Sequence, residues 1–274
     1  MKKKVIFYLP EKRRNDATIY YTELIKRAFI SLGFIAENKQ KIFKASPNDF
    51  IVAITPTDSW SIKKINPKSK IMTWFQGIGP EEYTLLHGKN LRSYIMKRYL
   101  EFFEKKVLEQ SDICLFVSDS MQRHYKGKYN LIPSNYLIVP CYNKKLSEDL
   151  LDTNKERYQK LSFVYAGGMF AWQCIDKTLE VFKRVENYCS DAYLTLLTGD
   201  TVIAEQLINK YKVKNVTIKY VPLDRLDEEL AQYKYGFLLR ENIKVNNVAT
   251  PTKMNSYLSV GVIPIYTNVV DSFE

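Results

Sequence analysis

Short apolar runs alternate along the chain with longer segments in which apolar positions recur every three or four residues. Runs such as VIFYL and ICLFV are apolar at successive positions, which is typical of parallel strands buried on both faces. In the first half these runs predict strands over Val5–Leu9, Phe50–Thr55, Lys70–Phe75, Asp112–Ser118 and Tyr136–Pro140. Helical spacing predicts helices over Asp16–Leu32 and Leu91–Gln110. The alternation predicts a doubly wound α/β sheet.

A polar segment separates this pattern from a second one. Residues 143–160 carry many charges and few large apolar side chains, which indicates a partly helical connector. Beyond it, strands are expected over Ser162–Ala166, Ala192–Thr198, Val216–Val221, Tyr235–Leu239 and Val262–Tyr266. Helices are expected over Cys174–Tyr188, Thr201–Tyr211, Leu226–Tyr233 and Lys253–Val260. The 274 residues thus predict two α/β domains, 1–142 and 161–274. The chain ends just after a strand, where a doubly wound domain normally continues, so we expect the second domain to be incomplete.

The positive charge is confined to the first half. The formal net charge is +11, and residues 1–140 hold 24 Lys and Arg against 13 Asp and Glu, whereas the remainder holds 17 of each. Such an excess favours an anionic partner, namely a membrane surface, lipid phosphate or nucleic acid. Solubility alone is an equally good explanation.

The predicted helix Leu91–Gln110 is amphipathic. Leu91, Ile95, Tyr99, Phe102 and Phe103 share one side. One interpretation is a core helix with a solvated charged face; the other is a surface that lies against anionic lipid. Because no RNA-binding signature occurs, we expect no nucleic-acid partner.

Several protein classes are disfavoured by what the chain lacks. It has no run of 18 apolar residues, so no membrane-spanning helix is expected. Its four cysteines form no CxxC pair, and the two histidines, His87 and His124, do not stand at metal spacing from them. We therefore expect neither a zinc site nor a disulfide framework, and we expect a reducing cytoplasm.

Candidate chemistry lies in loops that follow predicted strands, where ligands bind in open α/β sheets. Gly167, Gly168 and Met169 lie between a strand and a helix, and the glycines would let the backbone approach a phosphate. The alternative is an ordinary tight turn. Arg240 and Glu241 end another strand; Arg240 could clamp a diphosphate, or the two could form a surface ion pair.

A third loop leads into the helix near the end of the chain. Thr250 is predicted to be the N-cap and Pro251 the first helical residue, with Thr252 and Lys253 in the first turn. Backbone N–H groups, a hydroxyl and an ammonium would meet there and could bind a diphosphate. Capping alone explains Thr250 and Pro251, but it does not explain Lys253, which the helix dipole disfavours at that end.

These loops carry a family resemblance. The run LLRENIKVNNVATPTKMNSYLSVGVIPI resembles the donor-site signature of retaining GT-B glycosyltransferases of the family-four type, in their bacterial surface-polysaccharide branch. The matching residues are Arg240, Asn246, Val248, Ala249, Pro251, Lys253, Gly261 and Pro264. The loop GGMFAWQ and, in the first half, TWFQGIGPEEY are also similar to that branch. The resemblance implies a GT-B-like fold, in which two Rossmann-like doubly wound domains face a cleft.

The resemblance also implies roles for individual residues. Arg240 and Lys253 would neutralise the leaving diphosphate, and Gln76 is a further catalytic candidate. The implied donor-binding set is Gly167, Gly168, Met169, Arg240, Glu241, Asn246, Thr252, Lys253 and Ser256. Gln76, Gly77 and Glu81 would lie on the acceptor side. Ser256 departs from the family, which usually has a glutamate there that holds the ribose. No cofactor and no metal is implied.

The expected activity is that of a retaining hexosyltransferase in bacterial polysaccharide or glycoconjugate synthesis. It would move a sugar from a nucleotide-diphosphate sugar to a glycan or lipid-linked acceptor, in the cytoplasm or peripherally on the inner face of the membrane. One alternative is a degenerate GT-B module that binds or scaffolds without transfer. The other is a sugar-nucleotide epimerase, which needs acid and base groups that His87 and His124 are poorly placed to supply.

Overall fold

A computed structural model describes residues 3–14, 16–141 and 144–273, without the side chains of residues 16 and 17. Within these ranges the chain forms two compact units. Unit 1 comprises residues 3–141 and 247–250, and unit 2 comprises residues 144–246 and 251–273. The predicted bounds at 142 and 143 lie outside the described residues, and the predicted domain limits stay a prediction.

Unit 1 is built on a six-stranded sheet with the order β2-β1-β3-β4-β5-β6, in which every neighbouring pair is parallel. Its elements in chain order are β1 (Lys4–Tyr8), α1 (Asp16–Ser31), β2 (Ile35–Lys39), β3 (Phe50–Ala53), α2 (Pro56–Ile65), β4 (Lys70–Phe75), α3 (Gly79–His87), α4 (Leu91–Gln110), β5 (Ile113–Phe116), α5 (Asp119–Tyr129) and β6 (Tyr136–Ile138). A 3-10 turn over Glu11–Arg13 follows β1.

Unit 2 repeats the architecture with a five-stranded parallel sheet in the order β11-β10-β7-β8-β9. Its elements are α6 (Glu148–Asp152), β7 (Ser162–Ala166), α7 (Ile175–Tyr188), β8 (Tyr193–Leu197), α8 (Thr201–Tyr211), β9 (Val216–Lys219), α9 (Leu226–Leu230), β10 (Tyr235–Leu238), α10 (Lys244–Asn247), α11 (Thr252–Ser259) and β11 (Ile263–Tyr266). Shorter 3-10 turns span Lys155–Gln159, Ala171–Gln173, Leu223–Arg225 and Asp271–Phe273.

The central strands are buried on both faces, as their apolar runs predict. In β7, Phe163 and Tyr165 pack into a cluster on one face, and Val164 and Ala166 pack into a second cluster on the other. Burial of successive side chains is what keeps helices on both sides of a parallel sheet. The doubly wound α/β fold class is confirmed in both units.

Each predicted strand is present, with ends that differ by a few residues, but β2 and helices α2, α3, α5 and α10 were not predicted. Strand β2 lies at the edge of the first sheet and has the polar sequence IAENK, in which no side chain is fully buried. An edge strand pairs through its backbone on one side only, so its sequence need not be apolar. Helix α2 is capped by Thr55, whose hydroxyl accepts from the Asp58 N–H at 3.2 Å.

The predicted cap of the last helix is wrong. Helix α11 begins at Thr252, with Pro251 at the N-cap position and no side-chain cap. The Thr250 hydroxyl instead accepts a hydrogen bond from the backbone N–H of Cys141 at 3.2 Å. A tertiary contact has therefore taken the hydroxyl that the local pattern assigns to the helix.

Helix α4 coincides with its prediction, but its apolar side does not face a core. Leu91 is 75 % exposed, Ile95 60 %, Tyr99 55 % and Phe102 51 %, so the interpretation of this side as a core face is wrong. The buried residues of α4 are Ser93, Glu104, Val107 and Leu108. Among the described helices, α4 included, none is long and apolar enough to cross a membrane.

The polar segment that follows unit 1 packs against unit 2. Lys144 forms an ion pair with Asp227 at 2.7 Å. Arg157 is buried and donates to the carbonyls of Ala231 and, at 2.7 Å, Val260. These contacts fix residues 144–160 to the ends of α9 and α11.

Candidate functional site

The order of strands in unit 2 reverses between β7 and β10. From β7 the chain proceeds outward through β8 and β9, and it then returns to add β10 and β11 on the other side. Ligands of open α/β sheets bind beyond the carboxyl ends of the strands at such a reversal. The loop that starts at Gly167 follows β7, and Arg240 follows β10, so two predicted loops meet at this point.

Lys253, in the first turn of α11, reaches across to the loop that follows β7. Its Nζ donates to the Tyr165 hydroxyl at 2.7 Å and to Gln173 Oε1 at 2.6 Å. The same ammonium lies 3.9 Å from the centroid of the Tyr165 ring, which is cation–π distance. The Tyr165 hydroxyl in turn donates to the Gly168 carbonyl at 2.7 Å. The lysine is therefore held against the glycine loop and does not extend into solvent from its helix.

A glycine at position 167 makes this placement possible. Gly167 has a φ of +137°, a conformation that L side chains rarely adopt. A Cβ at this position would lie 2.7 Å from Lys253 Cε and 2.9 Å from Lys253 Nζ. The glycine therefore provides the space that the lysine side chain occupies.

Arg240 approaches the same turn from the end of β10. It is only 6 % exposed, and its Nη1 donates to the Trp172 carbonyl at 2.6 Å. Its backbone is held by Thr267, which accepts from the Arg240 N–H and donates to the Arg240 carbonyl, each at 2.8 Å. Trp172 and Gln173 belong to one 3-10 turn, so Arg240 and Lys253 are anchored on neighbouring residues.

The two cations lie close to each other without forming an ion pair in the described part of unit 2. Among the described residues of unit 2, neither Arg240 nor Lys253 takes part in an ion pair. Burial, and next the nearby Arg240 guanidinium, hold the pKa of Lys253 well below its usual range, and burial also lowers the pKa of Arg240. Two like charges held together out of water are unfavourable unless an anion joins them. The arrangement is suited to bind a multiply charged anion.

The other predicted donor residues differ in their placement. Glu241 lies in a surface ion pair with Lys177 at 3.0 Å, so the alternative of an Arg240–Glu241 pair is wrong. Asn246 is buried and donates to the Glu241 carbonyl at 3.0 Å, which braces the loop after β10. The Ser256 hydroxyl donates to the Thr252 carbonyl of its own helix at 3.3 Å. A role for Thr252 or Ser256 in donor binding stays a prediction.

Four residues that shape this site were not predicted as site residues: Tyr165, Trp172, Gln173 and Asp200. Tyr165 and Gln173 hold Lys253, and the Trp172 carbonyl holds Arg240. Asp200 Oδ2 accepts from the Met169 N–H at 2.9 Å and so fixes the loop after β7. Their position in the sequence could have identified three of them. Trp172 and Gln173 lie in the GGMFAWQ loop, and Tyr165 lies just before it.

Unit 1 has a cavity of about 460 Å³ at the carboxyl ends of β1, β3 and β4. Its lining includes Lys12, Arg13, Gln76, Gly77, Glu82 and Glu104. Gln76 Nε2 donates to the Ile54 carbonyl at 3.2 Å, which orients the amide. Two of the predicted acceptor-side residues, Gln76 and Gly77, thus line one cavity, and their function there stays a prediction.

The third acceptor-side residue lies beside this cavity and not in its lining. Glu81 pairs with Lys128 at 2.9 Å. Glu82, its unpredicted neighbour, lines the cavity and accepts from the Ile78 N–H at 3.1 Å. A Cβ on Gly77 would overlap Glu82 Oε1, so Gly77 makes room for that carboxyl group. Burial raises the pKa of Glu82.

Comparison with known proteins identifies the fold. No protein-family model and no curated protein matches the chain. Among solved structures, it is similar to the sucrose-phosphate synthase of Thermosynechococcus elongatus, with a TM-score of 0.67 and 10 % identity over 98 % of this chain and 82 % of that one. It is also similar to a glycosyltransferase of Rickettsia africae, with a TM-score of 0.63 and 11 % identity over 98 % of this chain and 80 % of that one.

A third similar structure is TarM of S. aureus, in complex with fondaparinux, alpha-GlcNAc-glycerol and UDP. The TM-score is 0.55 and the identity 11 %, over 82 % of this chain and 42 % of that one. The chain thus spans less than half the length of that protein. Identities this low show the fold alone, and the fold agrees in all three comparisons and with the two doubly wound sheets. The chain has the GT-B glycosyltransferase fold.

Proposed function

We propose that this chain carries the donor site of a retaining glycosyltransferase that uses a nucleotide-diphosphate sugar. The observation that supports the proposal is the pair of cations, Arg240 and Lys253, which lie where the strand order of unit 2 reverses and form no ion pair among the residues that the structure describes. A diphosphate supplies the negative charge that this pair lacks. It can also accept hydrogen bonds from both side chains.

The two cations would act on the leaving group. As the bond between the sugar and the diphosphate breaks, negative charge grows on the β-phosphate oxygen. Fixed cations aimed at developing charge stabilise the transition state more than the ground state. Arg240 and Lys253 are fixed by Trp172, Tyr165 and Gln173 before any substrate arrives, so little reorganisation is needed.

The acceptor would be a glycan or a lipid-linked glycan, in bacterial polysaccharide or glycoconjugate synthesis in the cytoplasm. The cavity of unit 1 suits a hydroxyl-rich ligand, because the oriented amide of Gln76 and the carboxyl group of Glu82 can bind hydroxyl groups. Gln76 is also our candidate for a catalytic role, and the transfer is proposed to need no metal.

Calorimetric titration of UDP, GDP and their sugars tests the donor site. We expect one nucleotide class to bind, and Arg240→Gln or Lys253→Gln to weaken it about tenfold to a hundredfold, as for a hydrogen bond to a charged group. Lys155→Gln, which removes a surface cation that pairs with Asp152, is the matched control and should bind normally. Failure of every nucleotide to bind contradicts the proposal.

A transfer assay with a labelled nucleotide sugar then separates two outcomes. Transfer or slow hydrolysis of the bound donor supports an enzyme. Binding without either reaction selects a degenerate GT-B module, consistent with Ser256 at a position where the resemblance leads us to expect a glutamate.

A further inference from the structure

One buried hydroxyl group in unit 1 has two hydrogen-bond acceptors. The hydroxyl oxygen of Tyr125, on α5, lies 3.0 Å from the Gly77 carbonyl oxygen and 3.1 Å from Glu104 Oε1. A phenol carries a single hydrogen, so a well-aligned bond to one acceptor weakens the bond to the other. Burial, and next the charge of Glu104, hold the pKa of Tyr125 well above its usual range, so the hydrogen stays on the tyrosine.

The two acceptors are on different elements of unit 1, and both line the cavity of about 460 Å³ described above. Glu104 lies on α4, and Gly77 lies in the loop between β4 and α3. The neighbours of Gly77 have hydrogen bonds of their own, since the side-chain amide of Gln76 and the backbone N–H of Ile78 each donate to a fixed acceptor. The hydroxyl of Tyr125 holds the carbonyl group between them.

The other oxygen of Glu104 already has two donors. Oε2 accepts from the Tyr129 hydroxyl at 2.7 Å and from Lys128 Nζ at 3.0 Å. A proton added to Glu104 is therefore expected on Oε1, the oxygen that faces Tyr125. The carboxyl O–H then donates to the tyrosine oxygen, and the tyrosine hydrogen turns to the Gly77 carbonyl. When Glu104 is ionised, Oε1 attracts that hydrogen instead, because a charged acceptor forms the stronger hydrogen bond.

The charges around Glu104 favour a proton there near neutral pH. Its ammonium partner Lys128 is shared, since Nζ also lies 2.9 Å from Glu81 Oε1 and 3.7 Å from Glu101 Oε1. Carboxyl groups that crowd round one cation in a buried place disfavour full ionisation. The other charged or titratable groups near the cluster are the hydroxyls of Tyr125 and Tyr129, His124 at 3.9 Å from Glu81, and Lys97 and Arg98, which pair with Glu101. Burial, opposed by Lys128 and Tyr129, raises the pKa of Glu104 to about 7.

We propose that Glu104 is a positioning residue for the wall of this cavity, and that its proton, relayed by Tyr125, decides whether the Gly77 carbonyl is held. With the proton bound, the hydrogen bonds run unbroken from Glu104 through Tyr125 to Gly77, and the loop is fixed. Without it, the carbonyl loses the tyrosine as its donor, and the loop is free to adjust. This relay does not depend on which ligand the cavity takes or on the sugar chemistry proposed above, and its test uses neither.

The sequence allows Gly77 to be observed by itself. Glycine is followed by isoleucine at only one place in the chain, Gly77–Ile78. Protein made with carbonyl carbon-13 glycine and nitrogen-15 isoleucine therefore gives a single NMR correlation between a glycine carbonyl and the next amide. Lowering the pH through about 7 should move the Gly77 carbonyl resonance to higher frequency, because a carbonyl that accepts a stronger hydrogen bond is deshielded.

Two variants separate the relay from a merely structural role. Tyr125→Phe should abolish the pH-dependent shift at Gly77, while the side-chain carboxyl carbon of Glu104 still titrates. Glu104→Gln should abolish the shift because the amide does not titrate. The matched control is Glu109→Gln, which removes another carboxyl group from α4, one that pairs with Lys106 at 3.0 Å, and it should keep the shift. Should Glu104→Gln fail to fold, the natural chain and Tyr125→Phe still decide the question.

Three results overturn the proposal. The first is a Gly77 resonance in the natural chain that does not move within about two pH units of neutrality. The second is an equal shift in Glu104→Gln, which would show that another group, such as His124 or Glu82, titrates. The third is an equal shift in Tyr125→Phe, which would show that the tyrosine does not relay the proton.

Discussion

The position of Lys253 depends on the absence of a side chain at Gly167. The lysine Cε and Nζ fill the space that a Cβ would need, and the Tyr165 ring closes the other side. Gly167 and Lys253 are 86 positions apart in sequence, but the loop that follows β7 and the first turn of α11 are in direct contact. The GGMFAWQ loop therefore serves the cation pair directly, in addition to any contact with a ligand.

Gly167→Ala should weaken nucleotide binding about as much as loss of the lysine itself, roughly tenfold to a hundredfold. The added methyl group would push the Lys253 side chain away from Tyr165 and Gln173, and strain at positive φ should lower stability by about 1–3 kcal/mol. Calorimetric titration and thermal melting measure the two effects.

Gly33→Ala is the control for that strain. Gly33 also has a positive φ, +84°, but a Cβ added there would meet nothing within 4 Å. This variant should lose stability and keep its nucleotide affinity. If Gly167→Ala binds the nucleotide with unchanged affinity, the position of the Lys253 side chain does not depend on the glycine as we expect.

Nucleotide binding should be accompanied by uptake of protons at pH values above the lowered pKa of Lys253. Burial and Arg240 lower the pKa of Lys253, and a bound diphosphate raises it again because an adjacent anion favours the ammonium form. Uptake should increase as the pH rises above the lowered pKa. Calorimetry in buffers of different ionisation enthalpy measures it.

Lys253→Arg provides the comparison, because arginine stays protonated throughout this range. The proton uptake should disappear in that variant even if some affinity remains. Equal uptake in both proteins would show that another group takes the proton.

Glu104 should make unit 1 less stable as the pH rises toward neutrality. Burial raises its pKa to about 7, against the partial opposition of Lys128 and Tyr129, whereas the value for an exposed glutamate is 4.5. Between these values the folded chain holds a proton that the unfolded chain has lost, so folding stability falls with increasing pH. The loss is on the order of 3 kcal/mol at most, and it is complete above the folded pKa.

Glu104→Gln should remove this part of the pH dependence, because the amide does not titrate. Chemical denaturation at a series of pH values gives the free energy of unfolding for both proteins. The difference between the two free energies of unfolding should change with pH between about pH 4.5 and pH 7 and stay constant above that range. A difference that does not vary with pH would contradict the raised pKa.

Gly261→Ala should destabilise unit 2 more than Gly33→Ala does unit 1. Both glycines have positive φ, but a Cβ at 261 would lie 2.6 Å from Leu151 Cδ2 and 2.7 Å from the Tyr158 hydroxyl. Backbone strain at positive φ is common to the two variants. The additional loss of stability in Gly261→Ala, about 1–3 kcal/mol, therefore measures overpacking against residues 144–160. Equal losses in thermal melting would indicate that this segment does not pack tightly on unit 2.

The sequence predicted the doubly wound fold because buried parallel strands leave a direct apolar signal. Strands such as β7 are apolar on both faces, and the helices between them have apolar residues at regular helical intervals. The polar edge strand β2 carries no such signal. Helix α3 has few buried residues, only Pro80 among its nine, so its pattern is also weak.

The sequence located the loops of the candidate site but not their contacts. Arg240 and Lys253 follow from strand ends and a helix start, which are local features. The partners of Lys253 lie 80 and 88 positions away, and no local pattern says which way a lysine side chain turns. The same limitation explains why Thr250 was predicted as a helix cap, since its partner Cys141 lies 109 positions away.

The orientation of α4 does not follow from its sequence, for a different physical reason. Its apolar side chains have the spacing of a core face, but the helix buries the opposite side, where Glu104 is held by Tyr125, Tyr129 and Lys128. A buried carboxyl group with three hydrogen-bond partners can replace apolar contacts. Spacing shows that a helix has two sides; it does not show which side is covered.

A crystal structure of the chain with bound UDP tests most directly whether Arg240 and Lys253 hold a diphosphate. We expect diphosphate oxygens within hydrogen-bond distance of both the Lys253 ammonium and the Arg240 guanidinium, beside the Gly167 loop. A diphosphate bound elsewhere, with neither cation in contact with it, would contradict the proposed donor site.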